Sequence, residues 1–151
     1  MFTMDDLLEV AVKMEKNGET VYKNAIKKIQ QKKLTDLLNW MADEEANHGR
    51  WFLDQKARLS LKPEEKTLKE MIPGVLQDMM GGKTLSLDDV KFDRITTTPE
   101  LLKAFIEFEK DTIQFYELIE LFIDEKEVLK GLKQIIGEEK NHVIKLTGMI
   151  K

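Results

Sequence analysis

The string Glu44-Glu45-Ala46-Asn47-His48 returns ninety-four positions later as Glu138-Glu139-Lys140-Asn141-His142, and these two strings hold both histidines of a 151-residue chain. A carboxylate and an imidazole three residues apart on a helix project to neighbouring points of one face. Glu45 with His48, and Glu139 with His142, can therefore each grip one metal ion. A single Glu-x-x-His on a charged helix is ordinarily a solvated face. What lifts these two above that reading is a further pair at the same offset, Glu15 with Glu109, followed two turns on by Tyr22 with Tyr116. Lys16 and Lys110 keep the register, as do Leu7, Leu8 and Leu38 with Leu101, Leu102 and Leu132. One offset running through two separate motifs marks a repeated helical hairpin.

Glu15, Glu45, Glu109 and Glu139 stand on apolar stripes, at positions that a packed bundle gives to Leu or Ile. A buried ionised carboxylate is costly unless a positive group stands beside it, and no Lys or Arg occupies the stripe positions. Two divalent cations would neutralise four carboxylates and leave both imidazoles uncharged. Glu15, Glu45, His48, Glu109, Glu139 and His142 are thus the expected metal ligands, one glutamate from each of two helices and a Glu-x-x-His from each of the other two.

The elements that must carry these residues follow from the spacing of the apolar positions. Leu8, Ala11, Glu15, Gly18, Tyr22, Ala25 and Ile29 recur every three or four residues, as do Leu38, Met41, Glu45, His48, Phe52 and Leu59. Two more stripes are Leu102, Phe105, Glu109, Thr112, Tyr116, Ile119, Ile123 and Val128, Leu132, Ile135, Glu139, His142, Leu146, Met149. This period defines four amphipathic helices of about 25 residues, about 40 Å each at 1.5 Å per residue. Thr98-Pro99-Glu100 is a helix start, a Thr cap before a proline whose missing N–H is of no consequence in the first turn. Little sequence separates the first helix from the second near Gln30, or the third from the fourth near Asp124, so each pair should turn back on itself.

The expected fold class is therefore all-α: one four-helix-bundle domain over 1–151, with helical hairpins at about 4–59 and 99–150 and a crossover at about 60–98. That crossover holds two of the three prolines and the Gly81-Gly82 pair. A short helix over 64–80, broken at Pro73, is expected within it.

Composition fits that outline and removes other classes of function. With 42% hydrophobic and 34% charged residues and no long apolar run, the pattern describes a helix-rich protein without a membrane span. The opening Met1-Phe2-Thr3-Met4-Asp5-Asp6 lacks the basic start and apolar core of a signal peptide, so a cytoplasmic location is expected. Without cysteine there is neither disulfide nor thiolate chemistry, and a metal must be held by oxygen and nitrogen. A formal net charge of −4 argues against nucleic acid as a partner.

At this point the chain resembles the rubrerythrin and bacterioferritin branch of the ferritin-like superfamily, whose bundles carry this set of two glutamates and two Glu-x-x-His pairs. Glu15-Lys-Asn-Gly-Glu-Thr-Val-Tyr22 and Glu109-Lys-Asp-Thr-Ile-Gln-Phe-Tyr116 look like the pattern of Glu and Tyr seven apart in rubrerythrin-like proteins. The resemblance implies a di-iron site, with Glu45 and Glu139 bridging and Glu15, Glu109, His48 and His142 as terminal ligands. It also implies a homodimer and an oxidoreductase in which the metal pair reduces H2O2 or O2, as in rubrerythrin-like peroxidases or ferroxidases. The ligand types equally admit manganese.

Three departures from rubrerythrin are visible. No cysteine is present to build a rubredoxin-like module, so the electron donor is expected to be a separate molecule. Thr112 fills the position where rubrerythrins tend to carry an extra glutamate. Glu139-x-x-His142 replaces a Glu-x-x-Glu-His, which makes the ligand set the symmetrical one of bacterioferritin-type centres. The alternatives within the same fold are iron storage or structural metal binding without turnover, and hydroxylation of an apolar substrate.

Catalytic residues beyond the ligands are not expected. Tyr22 and Tyr116 are candidate hydrogen-bond donors to ligand carboxylates, which need such orientation, or else plain core residues. Gly18 and Thr112, one turn after a ligand glutamate, are either packing residues or an open face through which an oxidant arrives. Glu44 and Glu138 fall one residue off the ligand face and read as solvated or histidine-supporting. The repetition of Asn47 and Asn141 has no derivable role.

Overall fold

The computed structural model describes residues 4–59 and 98–150. These residues form four helices: α1 Met4–Ile26, α2 Lys32–Leu59, α3 Thr98–Glu120 and α4 Lys126–Gly148. No strand occurs among them. The expected short helix over 64–80 lies outside the described residues, as does most of the crossover.

Contacts group the chain into two compact units, Met1–Asp78 and Met79–Lys151. The first is built on α1 packed against α2, the second on α3 packed against α4. Residues 27–31 and 121–125 join the members of each pair, and connections this short make each pair an antiparallel hairpin.

α1 spans 23 residues and buries Leu7, Leu8, Ala11, Met14, Glu15, Gly18, Tyr22 and Ala25, the stripe read from the sequence with Leu7 and Met14 added. Asp5 and Asp6 in its first turn and Lys23 in its last complement the helix dipole. The helix stops at Ile26, so Ile29 falls in the connection and is only half-buried. α2 buries Leu34, Leu38, Met41, Ala42, Phe52 and Gln55 around its ligand positions.

α3 begins at Thr98, the residue expected to cap it, with Pro99 in the first turn. It buries Leu102, Phe105, Thr112, Tyr116 and Ile119 as the spacing requires, and in addition Ile106, Phe108, Ile113 and Phe115. α4 buries Val128, Leu132, Ile135, Ile136, Glu139, His142 and Leu146. Ile123 and Met149, expected on the last two stripes, lie beyond helix ends and are half-buried. Each fully buried Leu, Ile or Phe contributes about 1.5–3 kcal/mol, so the stripes hold the hairpins together against chain entropy.

The internal repeat extends beyond the letters that announce it. Buried Leu8, Ala11, Met14, Tyr22, Leu34, Leu38, Met41 and Phe52 correspond at the same offset to buried Leu102, Phe105, Phe108, Tyr116, Val128, Leu132, Ile135 and Leu146. The turns repeat as well, bond for bond. In the first, Lys27 N–H donates to Asn24 O, Lys28 to Ala25 O and Ile29 to Ile26 O; in the second, Leu121 donates to Leu118 O, Phe122 to Ile119 O and Ile123 to Glu120 O. Thr35 N–H to Gln31 O and Leu129 N–H to Glu125 O then open α2 and α4 alike. Little of the turn sequence itself repeats, Lys27-Lys28-Ile29-Gln30-Gln31 against Leu121-Phe122-Ile123-Asp124-Glu125.

Candidate metal centre

All six predicted ligands are buried in the middle stretches of their helices, Glu15 at 1% exposure, His48 at 4%, and Glu45, Glu109, Glu139 and His142 at 0%. Among the described residues the remaining buried polar side chains are Gln55 and Thr112, and none is Lys or Arg. Four carboxylates are thus held away from water with no basic side chain buried beside them. Such a set is costly unless a cation enters it.

Each hairpin brings its own three ligands together. In the first unit Glu15 of α1 and Glu45 and His48 of α2 each offer a donor atom, the three lying within 4.8 Å of one another. Glu109 of α3 with Glu139 and His142 of α4 do the same in the second. The i and i+3 spacing puts each Glu and His on one helix face, and the short turn brings the neighbouring helix's glutamate opposite. In both units Nδ1 of the histidine faces Oε2 of that glutamate at 3.5 Å, His48 to Glu15 and His142 to Glu109. His142 Nδ1 also lies 3.8 Å from Oε1 of Glu139. Oxygen and imidazole nitrogen in this number and proximity are the donors that iron, manganese or zinc take.

The other sequence candidates divide by burial. Tyr22 and Tyr116 are fully buried. Thr112 is buried and its hydroxyl donates to Phe108 O at 2.8 Å. Glu44 and Glu138 are half-buried, and Asn47 and Asn141 are exposed. Arg50 donates from Nη2 to the Asn47 side chain, so Asn47 belongs to the outer surface of α2. Trp51 meets Phe52 edge to face with ring centroids 5.1 Å apart, and Phe52 is fully buried one turn after His48. Trp40 is turned outward, 37% exposed. The Trp51 contact and the second buried face of α3 are features that periodicity did not reveal, because they depend on which neighbours cover a position.

The fold has known counterparts. A crystal structure of a candidate ferritin-like diiron-carboxylate protein from Thermotoga maritima superposes with a TM-score of 0.73 at 22% identity, covering 99% of this chain and 95% of that one. A hypothetical protein from Pyrococcus furiosus gives 0.70 at 19% identity, over 99% and 89% of the two chains. The class is thereby defined as a ferritin-like four-helix bundle. No curated protein matches the chain in sequence. The rubrerythrin family model matches residues 6–150, so the chain belongs to the rubrerythrin family. None of its 151 residues is a cysteine.

Proposed function

We propose that Glu15, Glu45, His48, Glu109, Glu139 and His142 hold one pair of metal ions, iron in the first instance, and that the protein is an oxidoreductase that reduces H2O2 or O2. The single observation that carries this reading is the burial of four glutamates with no buried Lys or Arg among the described residues. Charge balance supports a pair in place of a single ion, because two divalent cations neutralise four carboxylates. Membership of the rubrerythrin family supports iron.

When bound, such a pair supplies two one-electron equivalents at adjacent positions, which suits a two-electron oxidant: H2O2, two electrons and two protons give two waters. The chain's own part is to hold and to exclude. Glu15 and Glu109 would serve as carboxylate ligands facing the two histidines, with Glu45 and Glu139 as the other two carboxylate ligands. Burial of all six keeps bulk water from the donors and strengthens their hold on a cation. Tyr22 and Tyr116, two turns along from Glu15 and Glu109, orient ligand carboxylates through their hydroxyls. Electrons come from a separate donor, since the chain has no cysteine for a built-in iron–sulfur relay. The same reading includes a homodimer in the cytoplasm. Among the described residues no helix is long and apolar enough to cross a membrane.

The test is metal analysis of protein loaded anaerobically with Fe(II), followed by stopped-flow mixing with H2O2 and with O2. Two ions per chain, oxidation faster by one of the two oxidants, and repeated turnover with an added reductant are expected. Protein that binds no iron sinks the proposal. Binding with a single oxidation and no further turnover assigns storage or a structural metal instead.

A further inference from the structure

The two hairpin turns share one set of backbone hydrogen bonds and carry opposite charge. Residues 23–33 hold Lys23, Lys27, Lys28, Lys32 and Lys33 and no carboxylate, a formal charge of +5. Residues 117–127, the same window at the repeat offset, hold Glu117, Glu120, Asp124, Glu125 and Glu127 against Lys126 alone, a formal charge of −4. The five lysines are exposed, and the five carboxylates are exposed or half-buried. Helix stability does not account for this placement. Lys23 near the end of α1 and Glu127 at the start of α4 suit their helix dipoles, but Lys32 and Lys33 in the first turn of α2 and Glu117 and Glu120 in the last turn of α3 stand against theirs. That first turn has no acidic residue and that last turn no basic one. Lys23 pairs with Glu19, Lys32 with Asp36 at 3.5 Å, and Lys140 of α4 with Glu117 at 3.8 Å, surface pairs of the kind that contribute little. The acidic turn also has an apolar centre, with Leu121 76% exposed and Phe122 and Ile123 half-buried next to it in sequence. In the basic turn the half-buried residue is Ile29, set among lysines whose methylene stems can cover apolar surface.

We infer that the two turns are docking surfaces for each other between copies of the chain, the basic α1–α2 turn of one molecule seating on the acidic α3–α4 turn of another. A second copy is the favoured occupant because the two surfaces match in backbone and nearly in charge number, and oppose in sign, at equivalent positions of one sequence. The formal net charge of −4 argues against nucleic acid as the occupant of the basic turn. An apolar centre inside a charged rim is the anatomy of a protein interface, and opposite potentials across it speed encounter and fix register. The contact is heterologous, since the two surfaces differ, so a molecule bound through one turn still presents the other. Association of that kind runs head to tail, closing into a ring or continuing as a chain. Neither turn contains one of the six proposed ligands, so the inference stands or falls apart from the metal reading.

The test is sedimentation of the full-length protein at about 0.01 M and about 1 M ionic strength, between which the Debye length falls from about 30 to about 3 Å. The weight-average mass at the lower ionic strength should be roughly twice that at the higher, or more. Equal masses at the two ionic strengths overturn the inference. Lys27→Glu with Lys28→Glu removes most of the charge of the basic turn, and Glu120→Lys with Asp124→Lys neutralises the acidic one. Each double variant, at wild-type helicity, should lose the low-salt association. Their equimolar mixture again offers one intact turn of each sign and should regain it as pairs of about twice the mass, without longer chains. A variant that associates alone as wild type does, or a mixture that stays apart, overturns the inference. Wild-type association that disappears on nuclease treatment assigns the basic turn to nucleic acid and overturns it as well.

Discussion

Glu109 is fully buried, and its carboxylate lies 3.5 Å from Nδ1 of His142. A buried carboxylate at this position is costly unless a cation enters the site. Glu109→Leu should therefore lower the number of Co(II) ions bound per chain, read by metal analysis of the dialysed protein. A variant that kept the wild-type stoichiometry would contradict the assignment. Phe52 is the opposite case, a fully buried ring against Trp51, one turn beyond His48. Truncation of such a ring leaves a cavity, and Phe52→Ala should cost about 3–5 kcal/mol by equilibrium unfolding. Asn47, exposed and held by Arg50, should tolerate Asn47→Ala with metal stoichiometry unchanged.

The helices are held more by their stripes than by local preference. α4 carries Gly137 at its middle, exposed, with no atom placed where a Cβ would meet it. Glycine in a helix interior costs about 0.5–1 kcal/mol relative to alanine, so Gly137→Ala should stabilise the chain by that amount in denaturant titration without altering metal binding. The turns show a second property of the elements. Their hydrogen bonds repeat pairwise although little of their sequence does, because a helix end closed by i to i+3 bonds is specified by backbone geometry and length, which many side chains satisfy. That repetition was not legible in the letters. The repetition of the Glu and His faces was, because carboxylates and imidazoles stand out on stripes that otherwise carry apolar residues.

At the scale of the molecule, the proposed function makes stability depend on metal. A ligand that binds only the folded state stabilises by about 2.7 kcal/mol at a hundred times its dissociation constant, and about 2–4 °C accompanies each kcal/mol in a domain of this size. Saturating Fe(II) or Co(II) should therefore raise Tm by several degrees, and a chelator should reverse the rise; a Tm indifferent to metal would contradict a buried centre. The sequence by itself determined the all-α class, the two hairpins, the internal repeat and the six residues that could ligate. Each of these is written in periodicity or in residue types that a buried face rejects unless they have a task. Only the tertiary structure decided that all six are buried with no basic side chain buried alongside, that each histidine turns Nδ1 toward the glutamate of its neighbouring helix, and that the two turns repeat bond for bond. Periodicity says which side of a helix faces inward, whereas distance, cover and free space depend on atoms brought together from residues far apart in the chain.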